Sequence, residues 1–116
     1  MMRILKSFYY AWNGLKITWR EEFNFRLEIL AGAIVTFCVF YFRFTFVESA
    51  FCVVAVVLVL SAEIINTAIE DLCNKIEPKQ DPMIGKIKDV MATFVLLSVL
   101  GAILIGLLVF QSHFLL

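Results

Sequence analysis

A polar segment follows the most apolar part of the chain and constrains the fold more than any other feature. Residues 49–62 carry no charge, and the next eight read Glu63-Ile-Ile-Asn66-Thr67-Ala-Ile-Glu70. On an α-helix these four polar positions share one face, because they follow the i, i+3, i+4, i+7 spacing. Since a membrane span needs roughly 20 apolar residues, the segment predicts a helix that leaves a bilayer with carboxylates on one face.

The composition is typical of an integral membrane protein. The 116 residues suit one domain, residues 1–116, and 62% of them are hydrophobic, well above the soluble average. The formal net charge is +0, so nucleic acid is not expected as a partner. Cys38, Cys52 and Cys73 show no Cys-x-x-Cys spacing and are interpreted as free thiols.

Charges and turn residues divide the chain into a surface helix and three spans. Residues 1–24 mix basic and aromatic side chains without a long apolar run, as in an amphipathic helix lying on a membrane. Residues 71–89 contain both prolines and are predicted as one extended polar loop. The spans are predicted at residues 27–47, 49–70 and 90–110. The predicted fold is therefore an all-α membrane protein with an N-terminal surface helix and three transmembrane helices.

The basic residues predict how the spans are oriented. Five Lys and Arg residues lie in residues 1–26, four in residues 71–89, one at Arg43 and none after Phe110. By the positive-inside rule, the N-terminus and the second loop are cytoplasmic, and the polar face lies near the cytoplasmic surface. His113, the only histidine, falls in the outer tail, where no functional role is expected.

Two carboxylates at a membrane boundary need a physical reason, because a charged side chain at a span centre costs about 2.5 to 3.5 kcal/mol on insertion scales. Polar contacts between helices are one alternative. An ion pathway is disfavoured, because the third span and the segment between Glu48 and Glu63 hold no charged residue. A site open only to the cytoplasm suits a reaction between a membrane-held substrate and a soluble co-substrate.

The carboxylates suggest a division of roles in such a reaction. Glu63, the deeper one, suits a general base for a lipid hydroxyl. Glu70, nearer the surface, suits a divalent cation, with Glu22 or Glu28 as a second ligand. Mg²⁺ commonly uses one or two carboxylates together with substrate phosphates. Lys88 is a candidate phosphate contact.

The octapeptide from Glu63 to Glu70, followed eighteen residues later by Lys88-Asp89, resembles the signature of the prokaryotic diacylglycerol kinase family, which includes the undecaprenol kinases. The resemblance extends over almost the whole chain, from Arg3 and residues 12–15 to the third span. The chain has no P-loop and no protein-kinase glycine loop, and the family lacks both.

The resemblance implies a homotrimer of three-span protomers in a bacterial plasma membrane. Each would transfer the γ-phosphoryl group of ATP, with Mg²⁺, to diacylglycerol or undecaprenol. Glu63 would be the general base, Asn66 would orient groups beside it, and Glu22 and Glu70 would bind the metal. The implied nucleotide contacts are Arg3, Tyr10, Glu22, Glu70, Lys88 and Asp89. The implied lipid contacts are Trp12, Lys16, Trp19, Glu28 and Glu63.

Some positions distinguish this chain within the family it resembles. Asn74 stands where Asp is common, and Gln80-Asp81 stands where Tyr-His is common. Asn24-Phe25 and Thr67 look more like the undecaprenol kinase branch. The alternative from another class is a non-enzymatic membrane subunit whose polar helix face docks a partner.

Overall fold

The computed structural model describes residues 2–116, which form helices joined by short turns. The helices are α1 (Met2–Glu21), α2 (Phe23–Tyr41), α3 (Phe46–Ile76) and α4 (Pro82–Phe110), and a C-terminal π-helix continues α4 over Gln111–Leu115. Three segments are long and apolar enough to cross a membrane, namely Phe23–Tyr41, Phe46–Ile76 and Pro82–Leu115. The predicted all-helical architecture with three apolar helices is therefore confirmed. Helix α1 is also present, while its amphipathic surface position stays a prediction.

The prediction of an extended polar loop at residues 71–89 is wrong. Helix α3 continues to Ile76 and α4 begins at Pro82, so only five residues, 77–81, lie between them. The Asp81 side chain caps α4 by accepting hydrogen bonds from the backbone N–H of Met83 at 3.0 Å and of Ile84 at 3.2 Å. Proline suits the first position of a helix. The charges in this region lie on helix ends, where charge does not oppose helix formation.

The predicted first span, residues 27–47, also needs correction at both ends. Helix α2 begins at Phe23 and ends at Tyr41. Arg43 adopts a left-handed conformation with φ 54° and supplies the turn, although no glycine marks it. Thr45 and Glu48 then form a reciprocal capping box that starts α3, as Thr45 Oγ1 accepts from the Glu48 N–H and Glu48 Oε1 accepts from the Thr45 N–H.

Close packing joins α2 to α3 at one glycine. A Cβ atom added to Gly32 would lie 3.1 Å from Val56 Cγ1, so a larger residue there would push the helices apart. Glycine at such a crossing lets two membrane helices approach closely. On α4, Ser98 is buried and donates its hydroxyl to the Phe94 carbonyl at 2.9 Å, so its polarity is satisfied within the helix.

Candidate functional site

The predicted polar face of α3 is present in the structure. Glu63 and Thr67 are only 2% and 4% exposed, and the Thr67 hydroxyl donates to the Glu63 carbonyl at 2.9 Å. Asn66 Nδ2 donates to Glu70 Oε1 at 3.3 Å. The buried Oε2 atom of Glu63 has no hydrogen-bond partner among residues 2–116. Because buried polar atoms are nearly always paired, this oxygen is available to accept a proton or a hydrogen bond from a ligand.

Glu22 reaches the same face from the junction between α1 and α2. It has extended backbone, with φ −116° and ψ 108°, and separates the two helices. Its carboxyl group lies beside the Glu70 carboxylate and the Thr67 hydroxyl. Partial burial raises the pKa of Glu22, and repulsion from Glu70 raises it further. The junction thus places two like-charged groups together at the end of the polar face.

Glu28 lies further along α2, within charge-interaction range of Glu63 and Glu22. Its Oε2 atom is buried and has no hydrogen-bond partner among the described residues. Four carboxylates, from the α1–α2 junction, α2 and α3, are therefore linked by charge interactions into one carboxylate region. Two of them, Glu28 and Glu63, offer unpaired buried oxygens.

This carboxylate region fits a metal that is shared with a ligand. No group of three or more His, Cys, Asp or Glu side chains in residues 2–116 is arranged to hold a metal by protein ligands alone. Glu22 and Glu70 form an adjacent pair, and a cation between them would relieve their repulsion. Mg²⁺ accepts one or two carboxylates when phosphate oxygens and waters complete its octahedron. The chemistry of this pair thus suits Mg²⁺ carried on a nucleotide.

Lys88 and Asp89 lie near the loop end of α3 and α4. Lys88 Nζ donates to Asn74 Oδ1 at 3.1 Å, which ties the two helices together. Lys88 also lines a cavity of about 580 Å³ beside the 77–81 loop. The Asp89 side chain is exposed. Asn74, where the family commonly has Asp, thus serves here as the acceptor for Lys88.

The remaining predicted contacts lie on α1 and are not gathered around the carboxylates. Arg3 precedes Glu22 by nineteen residues, which is about 28 Å along a straight helix. Tyr10 lies about 18 Å away on the same measure and is 66% exposed. The predicted lipid contacts on this helix, Trp12, Lys16 and Trp19, are exposed as well. One chain therefore brings together Glu22, Glu28, Glu63 and Glu70, but not Arg3 or Tyr10.

His113, for which no functional role is expected, makes a structural contact at the other end of the helices. His113 Nδ1 lies 2.9 Å from Glu48 Oε1, and the Ser112 hydroxyl donates to Glu48 Oε2 at 2.9 Å. These contacts join the chain's C-terminal π-helix to the start of α3 at the end opposite Glu63. An acidic residue in the first turn of a span, together with polar residues ending the antiparallel neighbour, was the available sequence signal.

Comparison of this sequence with known proteins shows which family the chain belongs to. The model of the prokaryotic diacylglycerol kinase family matches residues 9–110. The chain belongs to this family. It is 29% identical over 112 residues to the diacylglycerol kinase of Escherichia coli K12, covering 97% of this chain and 92% of that protein. It is 32% identical over 108 residues to the undecaprenol kinase of Bacillus subtilis 168, covering 93% and 88%.

The comparisons confirm the resemblance found in the sequence. A third relative, the diacylglycerol kinase of Haemophilus influenzae, is 27% identical over 112 residues, covering 95% of each chain. The protein is a lipid kinase, and its family implies ATP-dependent phosphoryl transfer at a membrane. This result sets aside the alternative of a non-enzymatic docking subunit. Relatives named for each of the two lipids match at similar identity, so the names alone do not choose between the lipids.

Proposed function

We propose that the protein transfers the γ-phosphoryl group of ATP, with Mg²⁺, to the hydroxyl group of diacylglycerol or undecaprenol at the cytoplasmic end of α3. The observation that carries this proposal is the unpaired buried Oε2 of Glu63, which lies on the same helix face as Glu70. A base for a lipid hydroxyl must sit at membrane depth, and the metal ligands must reach water. The order of these two residues along α3 meets both needs.

Glu63 acts as the general base in the proposed reaction. Its Oε2 accepts the hydroxyl proton while the lipid oxygen forms a bond to the γ-phosphorus. The bond between that phosphorus and the β,γ-bridging oxygen breaks, and ADP leaves with the electron pair. Asn66 holds Glu70 by its 3.3 Å hydrogen bond and so fixes the position of a proposed metal ligand.

Glu22 and Glu70 hold Mg²⁺ in this proposal. The metal supplies charge neutralisation for the nucleotide phosphates. Support comes from the pKa of Glu22, which burial raises most and repulsion from Glu70 raises further, because a bound cation removes that repulsion. Lys88 and Asp89 contact the nucleotide from the loop end of α4, and Arg3 and Tyr10 contact it from α1.

A homotrimer completes the proposed site. Arg3 and Tyr10 are exposed and distant from Glu22 in one chain, so a neighbouring protomer is the simplest source of these groups. Helix α1 lies on the membrane surface, where Trp12, Lys16 and Trp19 contact the lipid substrate. The N-terminus and the 77–81 loop face the cytoplasm, as the distribution of Lys and Arg favours.

Asn24-Phe25 and Thr67 favour undecaprenol as the lipid alcohol. The decisive experiment is transfer of labelled phosphate from ATP into the organic phase, with purified protein and Mg²⁺. Undecaprenol and diacylglycerol are compared at equal surface concentration. Labelled lipid phosphate with either alcohol supports the proposal, and a higher kcat/KM for undecaprenol supports the lipid assignment. Absence of labelled lipid with both alcohols would contradict the proposed function.

A further inference from the structure

Of the two proposed metal ligands, Glu70 lies inside a helix and Glu22 lies between two helices. Glu22 separates α1 from α2 with extended backbone, at φ −116° and ψ 108°. The dihedral angles of a helical residue are fixed by hydrogen bonds on both sides, and a residue at a helix end lacks part of that support. The position of the Glu22 carboxyl group therefore depends on what holds the junction.

The Glu22 side chain does not hold the junction itself. Glu22 is the N-cap residue of α2, where an acidic side chain ordinarily accepts hydrogen bonds from the N–H groups of the first turn. Its carboxyl group makes no such capping bond and instead reaches Glu70 and Thr67 on α3. Because Glu22 points to α3, other residues must fix the backbone around it.

Arg26 ties the two sides of the junction together. Its Nη1 donates a hydrogen bond to the Trp19 carbonyl oxygen at 3.2 Å. Trp19 precedes Glu22 by three residues and Arg26 follows it by four, so this bond spans Glu22. In a continuous helix the Trp19 carbonyl would accept from the N–H of residue 23. At the break, the Arg26 guanidinium supplies a donor, as basic side chains do at the ends of helices.

Two phenylalanine rings next to Arg26 support this arrangement. The guanidinium carbon of Arg26 lies 5.6 Å from the centre of the Phe23 ring, within cation–π range. Phe25 is only 1% exposed and anchors the first turn of α2 in the protein interior. Since α2 is anchored at Phe25 and joined to α1 at Arg26, rotation of α1 about Glu22 would break the bond to Trp19.

Arg26 is bonded to backbone and not to the carboxylates. Among residues 2–116, the one ion pair joins His113 to Glu48, so Arg26 does not neutralise Glu22 or Glu28 by direct contact. Its positive charge lies at the C-terminal end of α1, where the helix dipole favours a cation. Loss of Arg26 should therefore loosen the junction without removing any metal ligand.

We propose that Arg26 is a positioning residue for the metal site, which holds the α1–α2 junction so that the Glu22 carboxyl group meets Glu70. The inference rests on the proposed function for the metal role of Glu22 and Glu70. Arg26 itself contacts neither the metal nor the reacting atoms. Its loss weakens Mg²⁺ binding and leaves proton transfer at Glu63 in place.

The first test separates metal binding from turnover. Arg26→Gln should raise the apparent KM for Mg²⁺ in phosphate transfer by about tenfold, as changes behind a metal ligand commonly do. Turnover at saturating Mg²⁺ should stay within about twofold of wild type, because the chemical groups remain. Arg20→Gln is the matched control, since it removes an exposed charge at the same end of α1. A KM for Mg²⁺ in Arg26→Gln equal to that of the control would overturn the inference.

Conservative variants test the bond to the Trp19 carbonyl. Arg26→Lys keeps a cation that can donate to this carbonyl, so it should recover most of the Mg²⁺ affinity. Phe23→Leu removes the ring beside the guanidinium and should raise the KM for Mg²⁺ by about twofold, a result that can be measured even if Arg26→Gln does not fold. Normal Mg²⁺ affinity in Phe23→Leu, with no recovery in Arg26→Lys, would overturn the inference.

The double variant Glu22→Gln, Arg26→Gln tests whether Arg26 acts through Glu22. If it does, adding Arg26→Gln to the Glu22→Gln protein should change the KM for Mg²⁺ by no more than about twofold, because effects that pass through one group are not additive. Additive effects, or a raised KM for ATP at saturating Mg²⁺, would show that Arg26 contacts the nucleotide independently, and would overturn the inference.

Hydrogen exchange tests the junction without catalysis. Arg26→Gln should speed amide exchange in residues 22–26 by about fivefold or more in detergent micelles, whereas Arg20→Gln should not. Unchanged exchange would overturn the inference, even in inactive proteins. A normal Mg²⁺ dependence in Glu22→Gln would contradict the proposed metal role of Glu22. A changed dependence in Glu22→Gln with a normal one in Arg26→Gln would overturn the inference alone and keep the proposed function.

Discussion

Glu63 is the proposed general base, because its buried Oε2 is the unpaired oxygen of the polar face. Glu63→Gln keeps the size of the side chain but removes its ability to accept a proton. Turnover should fall by about 10²- to 10⁴-fold, the usual contribution of a general base. The measurement is the steady-state rate of phosphate transfer to undecaprenol at saturating ATP.

The matched control for this change is Glu77→Gln. Glu77 is the C-cap residue that follows α3, and its carboxylate accepts a local hydrogen bond from the Lys79 backbone at 3.2 Å. This variant should keep its turnover within about twofold. Near-normal turnover in a folded Glu63→Gln protein would show that Glu63 joins helices instead of moving protons.

Glu22 and Glu70 give a prediction about metal binding that does not need turnover. Without a cation the pair is repulsive, and Mg²⁺ should relieve this repulsion and raise the melting temperature of the protein in detergent. Glu22→Gln and Glu70→Gln should each reduce the shift produced by MgATP, whereas Glu77→Gln should keep it. Equal Mg²⁺-dependent shifts in all four proteins would place the metal elsewhere.

The same residues show which contacts of the site can be predicted from the spacing of side chains along a helix. Helical spacing predicts that Glu63, Asn66, Thr67 and Glu70 share a face. Two hydrogen bonds connect residues on this face, one from Asn66 to Glu70 and one from Thr67 to the Glu63 carbonyl. Spacing does not bring Glu22 to Glu70, because that approach depends on the break between α1 and α2. The residues alone left Glu22 and Glu28 as alternative partners of Glu70, and the family resemblance selected Glu22. The His113–Glu48 contact was missed, because it joins opposite ends of two antiparallel helices.

At the scale of helices, the start of α4 shows what a charge-based prediction overlooks. Residues 71–89 were predicted as one loop because they contain eight charges and both prolines. Asp81-Pro82 instead combines an N-cap with the proline position of a first turn. The helices consequently extend beyond the apolar spans on both sides of a short loop, and the loop end of the site is built on regular structure.

This interpretation of Asp81 can be measured. Asp81→Ala removes the acceptor for the Met83 and Ile84 N–H groups and should lower the free energy of unfolding by about 0.5–2 kcal/mol. The free energy is obtained by titrating the detergent-solubilised protein with a denaturing surfactant. Gln80→Ala, one residue earlier and exposed, should change it by less than about 0.5 kcal/mol. Equal stability of the two variants would mean that the cap contributes nothing.

At the scale of the whole molecule, one chain leaves the proposed site incomplete. Arg3 and Tyr10 are exposed far along α1, Asp89 is exposed on α4, and Glu28 and Glu63 have buried oxygens with no partner among residues 2–116. Unpaired carboxylates at membrane depth are unfavourable, and exposed Arg3, Tyr10 and Asp89 have no partner near these carboxylates in one chain, so a second protomer is expected against this region. The sequence predicts the number of helices in a protomer, but it contains no periodic feature that fixes how protomers pair.

The last prediction is that Glu63 and Asp89 of one site come from different protomers. Glu63→Ala and Asp89→Ala proteins should each be nearly inactive alone. When equal amounts are unfolded together and reassembled, each position is intact with a probability of one half, so about one quarter of the sites should regain both groups. The measurement is phosphate transfer per protomer, compared with wild-type protein carried through the same reassembly.

The two arrangements give opposite results in this experiment. If one chain supplies both residues, every site in the mixture keeps one defect, and the mixture is no more active than the separate variants. A mixture prepared without unfolding is the control, because protomers that do not exchange cannot form restored sites. Activity that returns only after unfolding and reassembly would therefore show that two protomers build each active site. If no activity returns, Glu63 and Asp89 of one site come from the same chain, and the lipid kinase assignment is unchanged.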